Sequence, residues 1–162
     1  MIVNNPSKTE DTRINDLRSA FEHRATWFAL LIDEARKQGL DTDFARNAIR
    51  KCGCFHANTK YPKTDSIQEF AKVFANDNVV NIFEMDVKEA SEEKLYIEFH
   101  YCPLVEAWKK LGYSDDDIVL FCDIAMDGDR GIAAEYDPFE FHLGRTIAKG
   151  DPFCEITFQK VK

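Results

Sequence analysis

No stretch of the 162-residue chain approaches the ~20 consecutive apolar residues of a membrane-spanning helix. The N-terminus lacks the basic, apolar and small-residue succession of a secretory signal. Lysines and arginines form no cluster and the net charge is −8, which argues against a nucleic-acid surface. There is no Walker loop, no dinucleotide fingerprint, no Gly-x-Ser-x-Gly and no His-Glu-x-x-His. The expectation is therefore a cytoplasmic protein with a small-molecule substrate or ligand, no nucleic-acid partner and no membrane partner. The composition also allows a homo-oligomer. Five cysteines, an odd number, read as thiols rather than as a disulfide framework.

What is present suffices for a core: 44% apolar residues, among them 13 Phe. Residues 1–12 are polar and predict a flexible N-terminus, followed by a single α+β domain over 13–162. The first half reads as helical. Ile14, Leu17, Phe21, Trp27, Phe28, Leu31 and Ile32 recur at helical spacing, and Gly39 is placed to end that helix. A second helix is expected from about Asp41 to Lys51, and a third over Asp65 to Ala75. The period then changes. Val79 to Val87 and Lys94 to Cys102 look like a hairpin, with Tyr96, Glu98, His100 and Cys102 on one face. Pro103 opens a further helix, and Ser114 with Asp117 opens another. Asp127 to Gly131 reads as a loop, and Phe139 to Ala148 with Phe153 to Val161 as a closing hairpin. The expected architecture is an antiparallel sheet of about four strands with helices packed against it.

Three cysteines stand where chemistry is plausible. Cys102 lies at a helix start, where free N–H groups and the macrodipole favour thiolate, so its pKa should fall. His100, two residues back, could exchange its proton, and Glu106 lies one turn on. The bland alternative is a small residue packed at a junction. Cys122, with Asp123 beside it, sits on an apolar helix face and reads equally as core. Asp127 and Asp129 could reach a metal or a substrate amine, or be solvated turn residues. Cys154 alternates with Ile156 and Phe158 and should face inward. If Cys102, Cys122 and Cys154 meet around one hollow, they would suit zinc, although nothing requires a cofactor. Cys52, Cys54 and His56 could share one side of an extended segment, but packing thiols are the default there. Arg145 could clamp a substrate carboxylate, with Thr146 beside it; His142 and Arg145 read equally as outer-strand surface.

Three runs carry a resemblance: Cys102-Pro103-Leu104-Val105-Glu106-Ala107-Trp108, Phe121-Cys122-Asp123-Ile124-Ala125, and Arg145-Thr146-Ile147-Ala148-Lys149-Gly150-Asp151-Pro152-Phe153-Cys154. With Glu22-His23-Arg24-Ala25 and the run from Ala45 to Gly53, they resemble the L-2-amino-thiazoline-4-carboxylic acid hydrolase family from about residue 20 to the end. The closing hairpin is also similar to the end of 4-vinyl-reductase-type domains, which bind small molecules and in some cases hold zinc through cysteines.

The first resemblance implies a hydrolase of a small cyclic amidine or related carbon–nitrogen bond, opening the ring to an N-carbamoyl cysteine. In that reading Cys102 or Cys122 attacks, Asp123 or His100 handles the proton, and Arg145, Thr146, Glu106 and Asp127 bind the substrate. The second keeps open a binding or sensing domain with cysteine-bound zinc at Cys102, Cys122 and Cys154.

Overall fold

A computed structural model describes residues 1–161. Four helices come first: α1 (Thr12–Lys37), α2 (Asp43–Thr59), α3 (Ile67–Phe74) and α4 (Asp77–Phe83). The hairpin β1 (Met85–Ala90) and β2 (Lys94–Phe99) follows, then α5 (Pro103–Lys110), α6 (Asp115–Ala125) and α7 (Asp127–Ala133). β3 (Phe139–Leu143), a 3₁₀ turn over Ile147–Lys149 and β4 (Cys154–Lys160) close the chain. The sheet is antiparallel throughout, in the order β1-β2-β4-β3. The expected α+β class, four-stranded sheet and helical first half are all present.

Side-chain caps start the helices where short polar residues precede apolar stripes. Asp11, Ser66, Asn76 and Ser114 each accept a backbone N–H at an N-terminus. Gly39, at φ +74, takes the left-handed position just past α1. The sheet's inner face is apolar: Leu95 and Ile97 of β2 and Ile156 and Phe158 of β4 are buried. Phe70 and Phe74 of α3 meet Phe158 at ring-centroid distances of 4.8 and 4.9 Å. α1 lies against α5, where the Trp108 indole donates to the Ala25 carbonyl at 3.0 Å. Its buried stripe runs through Ile14, Arg18, Ala25, Ala29 and Ile32. Trp27 and Leu31, expected on the apolar side, instead point outward, 66% and 62% exposed.

Several expectations need correction. Val79 to Phe83 form α4 rather than a strand, because the Asn76 cap starts a helix that Glu84, at φ 50, stops one residue before β1. The stretch Cys52 to His56 is helical rather than extended; α2 runs on to Thr59. Asp127 to Gly131 is helical, not a loop. The reason is a close crossing of α2 and α7. A Cβ on Gly53 would stand 2.0 Å from the Gly128 carbonyl oxygen, and one on Gly131 would stand 2.2 Å from that of Arg50. The glycines that looked like loop formers are what lets the two backbones touch. The end of the expected Phe139 to Ala148 strand is replaced by the 3₁₀ turn.

The first eleven residues lack helix or strand but are anchored. Ile2 and Asn4 are buried. The Asn4 amide donates to the Cys102 carbonyl and accepts from the Cys102 N–H, both at 2.9 Å. Ser7 and Lys8 donate to the Glu84 carboxylate, which also meets Arg18 at 2.9 Å in a buried ion pair. The composition of this segment is that of a tail; its polar groups find partners because backbone and carboxylate acceptors of the fold are waiting for them.

Candidate functional site

Cys102, Cys122 and Cys154 each lie within electrostatic reach of another of the three, so that ionising one would oppose ionising the next. Cys122 and Cys154 are buried and Cys102 is half-buried. Burial, the largest influence, raises all three: Cys154 to about 12, Cys122 well above the ordinary thiol range, and Cys102 above it too. The fall expected for Cys102 does not occur. The N–H groups of Val105 and Leu104 and the charge of Arg24 pull its pKa down, but desolvation outweighs them. Its side chain makes no capping hydrogen bond.

As placed, these sulfurs do not form a ligand set. Among the described residues, the group of three donors whose atoms lie within 4.8 Å of one another is Asp86, Glu98 and His100 on the outer face of the sheet. The Lys88 ammonium already bridges Asp86 and Glu98 there. Cys52, Cys54 and His56 spiral around α2 instead of sharing a side. Cys52 is exposed, Cys54 donates to the Gly131 carbonyl at 3.4 Å, and the buried Nδ1 of His56 has no partner.

The remaining expected residues separate into two groups. A surface depression of about 370 Å³ is lined by Cys122, Asp123, Thr146, Asp116 and Lys149, with Val119, Leu120 and Leu143. It brings together three of the residues singled out by sequence. The carboxylate beside Cys122, however, is already committed. Asp123 accepts from Arg46 at 2.7 Å and from Arg130 at 2.8 Å. Asp127 meets the same two guanidiniums at 2.9 and 3.0 Å. Burial pushes Asp123 up, but the hydrogen bonds from Arg130 and Arg46 prevail and hold it below the usual carboxylate range. A carboxylate so held is a poor proton carrier near neutrality.

The second group lies outside any shared site. His100 is exposed, with its ring 5.6 Å from that of Phe153 and Nε2 3.6 Å from Glu98. Glu106 faces Lys109 and Lys110, each at 3.9 Å. Arg145 is exposed, 3.6 Å from Glu155 and 5.5 Å from the Phe153 ring centroid. His142 is likewise exposed, beside Glu140. Thr146, by contrast, lines the depression; it is buried, and its hydroxyl caps the 3₁₀ turn by accepting from the Lys149 N–H.

A different constellation surrounds Cys102. Arg24 of α1 feels the fields of Cys52, Cys102 and Asp129, and Asp129 of α7 feels Arg130 and Arg24. Tyr61, after α2, feels Asp129. Burial, the largest influence, lowers the pKa of Arg24 and raises that of Asp129 to about 7. Yet Arg24 is exposed, and Cys102, Asp129 and Tyr61 keep partial solvent access. Neither Arg24 nor Asp129 makes a hydrogen bond or ion pair among the described residues. The Arg24 guanidinium lies instead over the Phe21 ring at 4.5 Å. Asp129 differs from Asp123 in having no direct partner and in a pKa raised to about 7 rather than lowered.

The sequence signature of the L-2-amino-thiazoline-4-carboxylic acid hydrolase family matches residues 18–158. No protein of curated function matches the chain. Among solved structures, trafficking protein particle complex subunit 3 from Naegleria fowleri, covalently bound to palmitic acid, is similar in fold. The TM-score is 0.59 at 15% identity, over 90% of this chain and 97% of that one. No helix among the described residues is long and apolar enough to cross a membrane.

Proposed function

Since the chain belongs to the L-2-amino-thiazoline-4-carboxylic acid hydrolase family, we propose that it hydrolyses a small cyclic amidine with Asp129 as the acid–base group, near Arg24 and Cys102. The observation that carries this reading is a carboxyl group raised by burial to about 7, with the Arg24 charge acting both on it and on the half-buried Cys102 thiol. General acid–base catalysis works best when the group's pKa lies near the operating pH. Asp129 meets that condition and Asp123 does not.

The chemistry then runs through water rather than through sulfur of the protein. The Asp129 carboxylate takes a proton from water as its oxygen bonds to the amidine carbon. The tetrahedral centre collapses to a urea carbonyl as the ring carbon–sulfur bond breaks, and its hydroxyl proton passes to the ring nitrogen, which becomes the urea N–H. The leaving sulfur receives the proton that Asp129 holds, giving an N-carbamoyl amino acid with a free thiol. One water is consumed and Asp129 returns to its starting state. Cys102 stays a neutral thiol and does not attack.

The raised thiols also favour a second reading, a domain that binds or senses a small molecule without turnover. A covalently held palmitic acid in the structural neighbour is a precedent for ligand binding by a fold of this kind. One experiment separates the two. Purified protein is incubated with L-2-amino-thiazoline-4-carboxylate, and the new thiol is titrated. The hydrolase reading expects thiol release with a pH profile rising through about 7, a fall of roughly 10²–10³-fold in Asp129→Asn, and less than ~10-fold in Cys102→Ser. Binding with no thiol released would overturn it.

A further inference from the structure

We infer that the outward face of α1 and α2 is an interface on which two copies of this chain pair, α1 lying antiparallel against α1. The argument starts from helical geometry. α1 turns Ala25, Ala29 and Ile32 into the core. At about 100° per residue, Trp27 stands roughly 140–160° away from each of them, with Leu30 and Leu31 flanking it. α2 repeats the pattern. Gly53 and Ala57 are buried, while the exposed Phe44, Ala48 and Phe55 fall within about 40° of one another on the opposite pole. Six of the eleven large apolar side chains left exposed among the described residues belong to this stretch: Trp27, Leu30, Leu31, Leu40, Phe44 and Phe55. Exposed apolar residues scattered singly are ordinary; a concentration of this kind marks a surface that another molecule covers.

The occupant follows from the order of residues along α1, which carries its own complement. In a contact with two-fold symmetry, residue i meets j while j meets i. Let two α1 helices lie antiparallel about an axis between positions 28 and 29. Trp27 of each copy then falls against Leu30 and Leu31 of the other, and the exposed His23 and Arg24 of each fall against Glu34 of the other. Apolar meets apolar, and positive meets negative. A parallel arrangement would instead set Glu34 against Glu34. The charges are free to take part. Arg24 makes no ion pair among the described residues, and Glu34 meets only Lys37 of its own helix, with both side chains 66% exposed, so exchanging that partner costs little. The area is also sufficient. At their exposures the six apolar side chains present roughly 600 Å² per chain, at the top of the about 300–600 Å² seen on monomers and most of the about 800 Å² per partner of a standard interface. A net charge of −8 opposes an anionic lipid surface as the alternative cover.

The test reads oligomeric state and does not depend on turnover. Sedimentation velocity of the full chain from ~0.1 to ~100 µM should show passage from the 18.7 kDa chain to twice that mass. The sequence holds two tryptophans, and Trp108 is buried in the fold, so a blue shift of emission on raising the concentration reports Trp27. Trp27→Asp should raise the Kd of the pair at least ~30-fold, while Val161→Asp, an exposed apolar position outside α1 and α2, should leave it unchanged. Because Trp27 lies outside the core, circular dichroism of its variant should match wild type. Arg24→Glu and Glu34→Arg should each weaken pairing by ~3–10-fold, and the double variant should recover it. A chain still monomeric at ~100 µM, or a dimer that Trp27→Asp leaves intact, would overturn the inference. So would a monomer that instead co-sediments with phosphatidylcholine vesicles, which would give the face to a membrane. A double variant that fails to recover pairing would overturn the antiparallel register.

Discussion

Asp127 and Asp129 are two residues apart on one short helix and have opposite fates. Asp127 belongs to a four-membered ionic box with Arg46, Arg130 and Asp123, in which each charge has two partners. Asp129 has Arg130 and Arg24 nearby but no direct partner, and burial drives it towards the neutral acid. The difference of about 200° around the helix decides which one ties α2 to α6 and α7 and which one is left without a direct partner. Charge saturation marks a structural carboxylate, and charge deficit is what the proposed role of Asp129 rests on, even when the sequence sets the two side by side.

The strongest way to break the comparison is to remove the platform both residues share. Gly53→Ala puts a methyl group where the Gly128 carbonyl stands, so α2 and α7 must separate. The expected loss is at least ~3 kcal/mol of stability in urea denaturation, with both regions disrupted together.

The next perturbation sharpens it through pH. The folded-state pKa of Asp129, about 7, lies above its unfolded value, so the folded chain binds the extra proton between about pH 4 and pH 7. Its contribution to stability is greatest at the acid end of that window and is lost as pH rises through 7. Asp129→Asn removes this dependence. Thermal melts should show the variant gaining on wild type by roughly 2–4 kcal/mol between pH 5 and pH 8, even as turnover is lost. Asp127→Asn should do the reverse. It leaves Arg46 and Arg130 short of a partner and should cost about 1–2 kcal/mol, with turnover per folded molecule nearly unchanged. The smallest effect is expected for Arg145→Ala. That side chain is exposed and meets only Glu155 and Phe153, so stability should move by less than ~0.5 kcal/mol and KM should not move.

Much of the fold was legible because it rests on local signals. Caps at Ser66 and Ser114, Pro103 at a helix start and the alternation of Leu95, Ile97 and Phe99 all act within a few residues. What misled were residues whose meaning is tertiary. Gly128 and Gly131 carry a loop signal locally, yet serve a crossing with a helix some 75 positions earlier in the chain, well outside any sequence window. Val79 to Phe83 have the β-branched texture of a strand, overridden by a cap and by Glu84.

The candidate site divides in the same way. Cys102 and its place at a helix start could be read from Cys-Pro alone. That burial would outweigh the helix terminus could not, because desolvation depends on what packs around the sulfur. Asp123 drew attention by adjacency to Cys122, but its role was set by Arg46, 77 positions away. Arg24 was the residue missed. Its signal was present, since it stands three residues after Phe21 on a helix and within a run shared with the family. A charged residue there is read as solvated until a partnerless acid is found within reach of its charge.

The clamp of Asn4 on both backbone groups of Cys102 has one more consequence, for the order of assembly. This contact joins positions 98 apart, a longer span than the β2–β4 pairing, the α1–α5 contact or the α2–α7 crossing. Until it closes, the first turn of α5 has no fixed footing. Competence for ligand would then be acquired late in folding, and a nearly native chain with its beginning undocked would be compact yet silent.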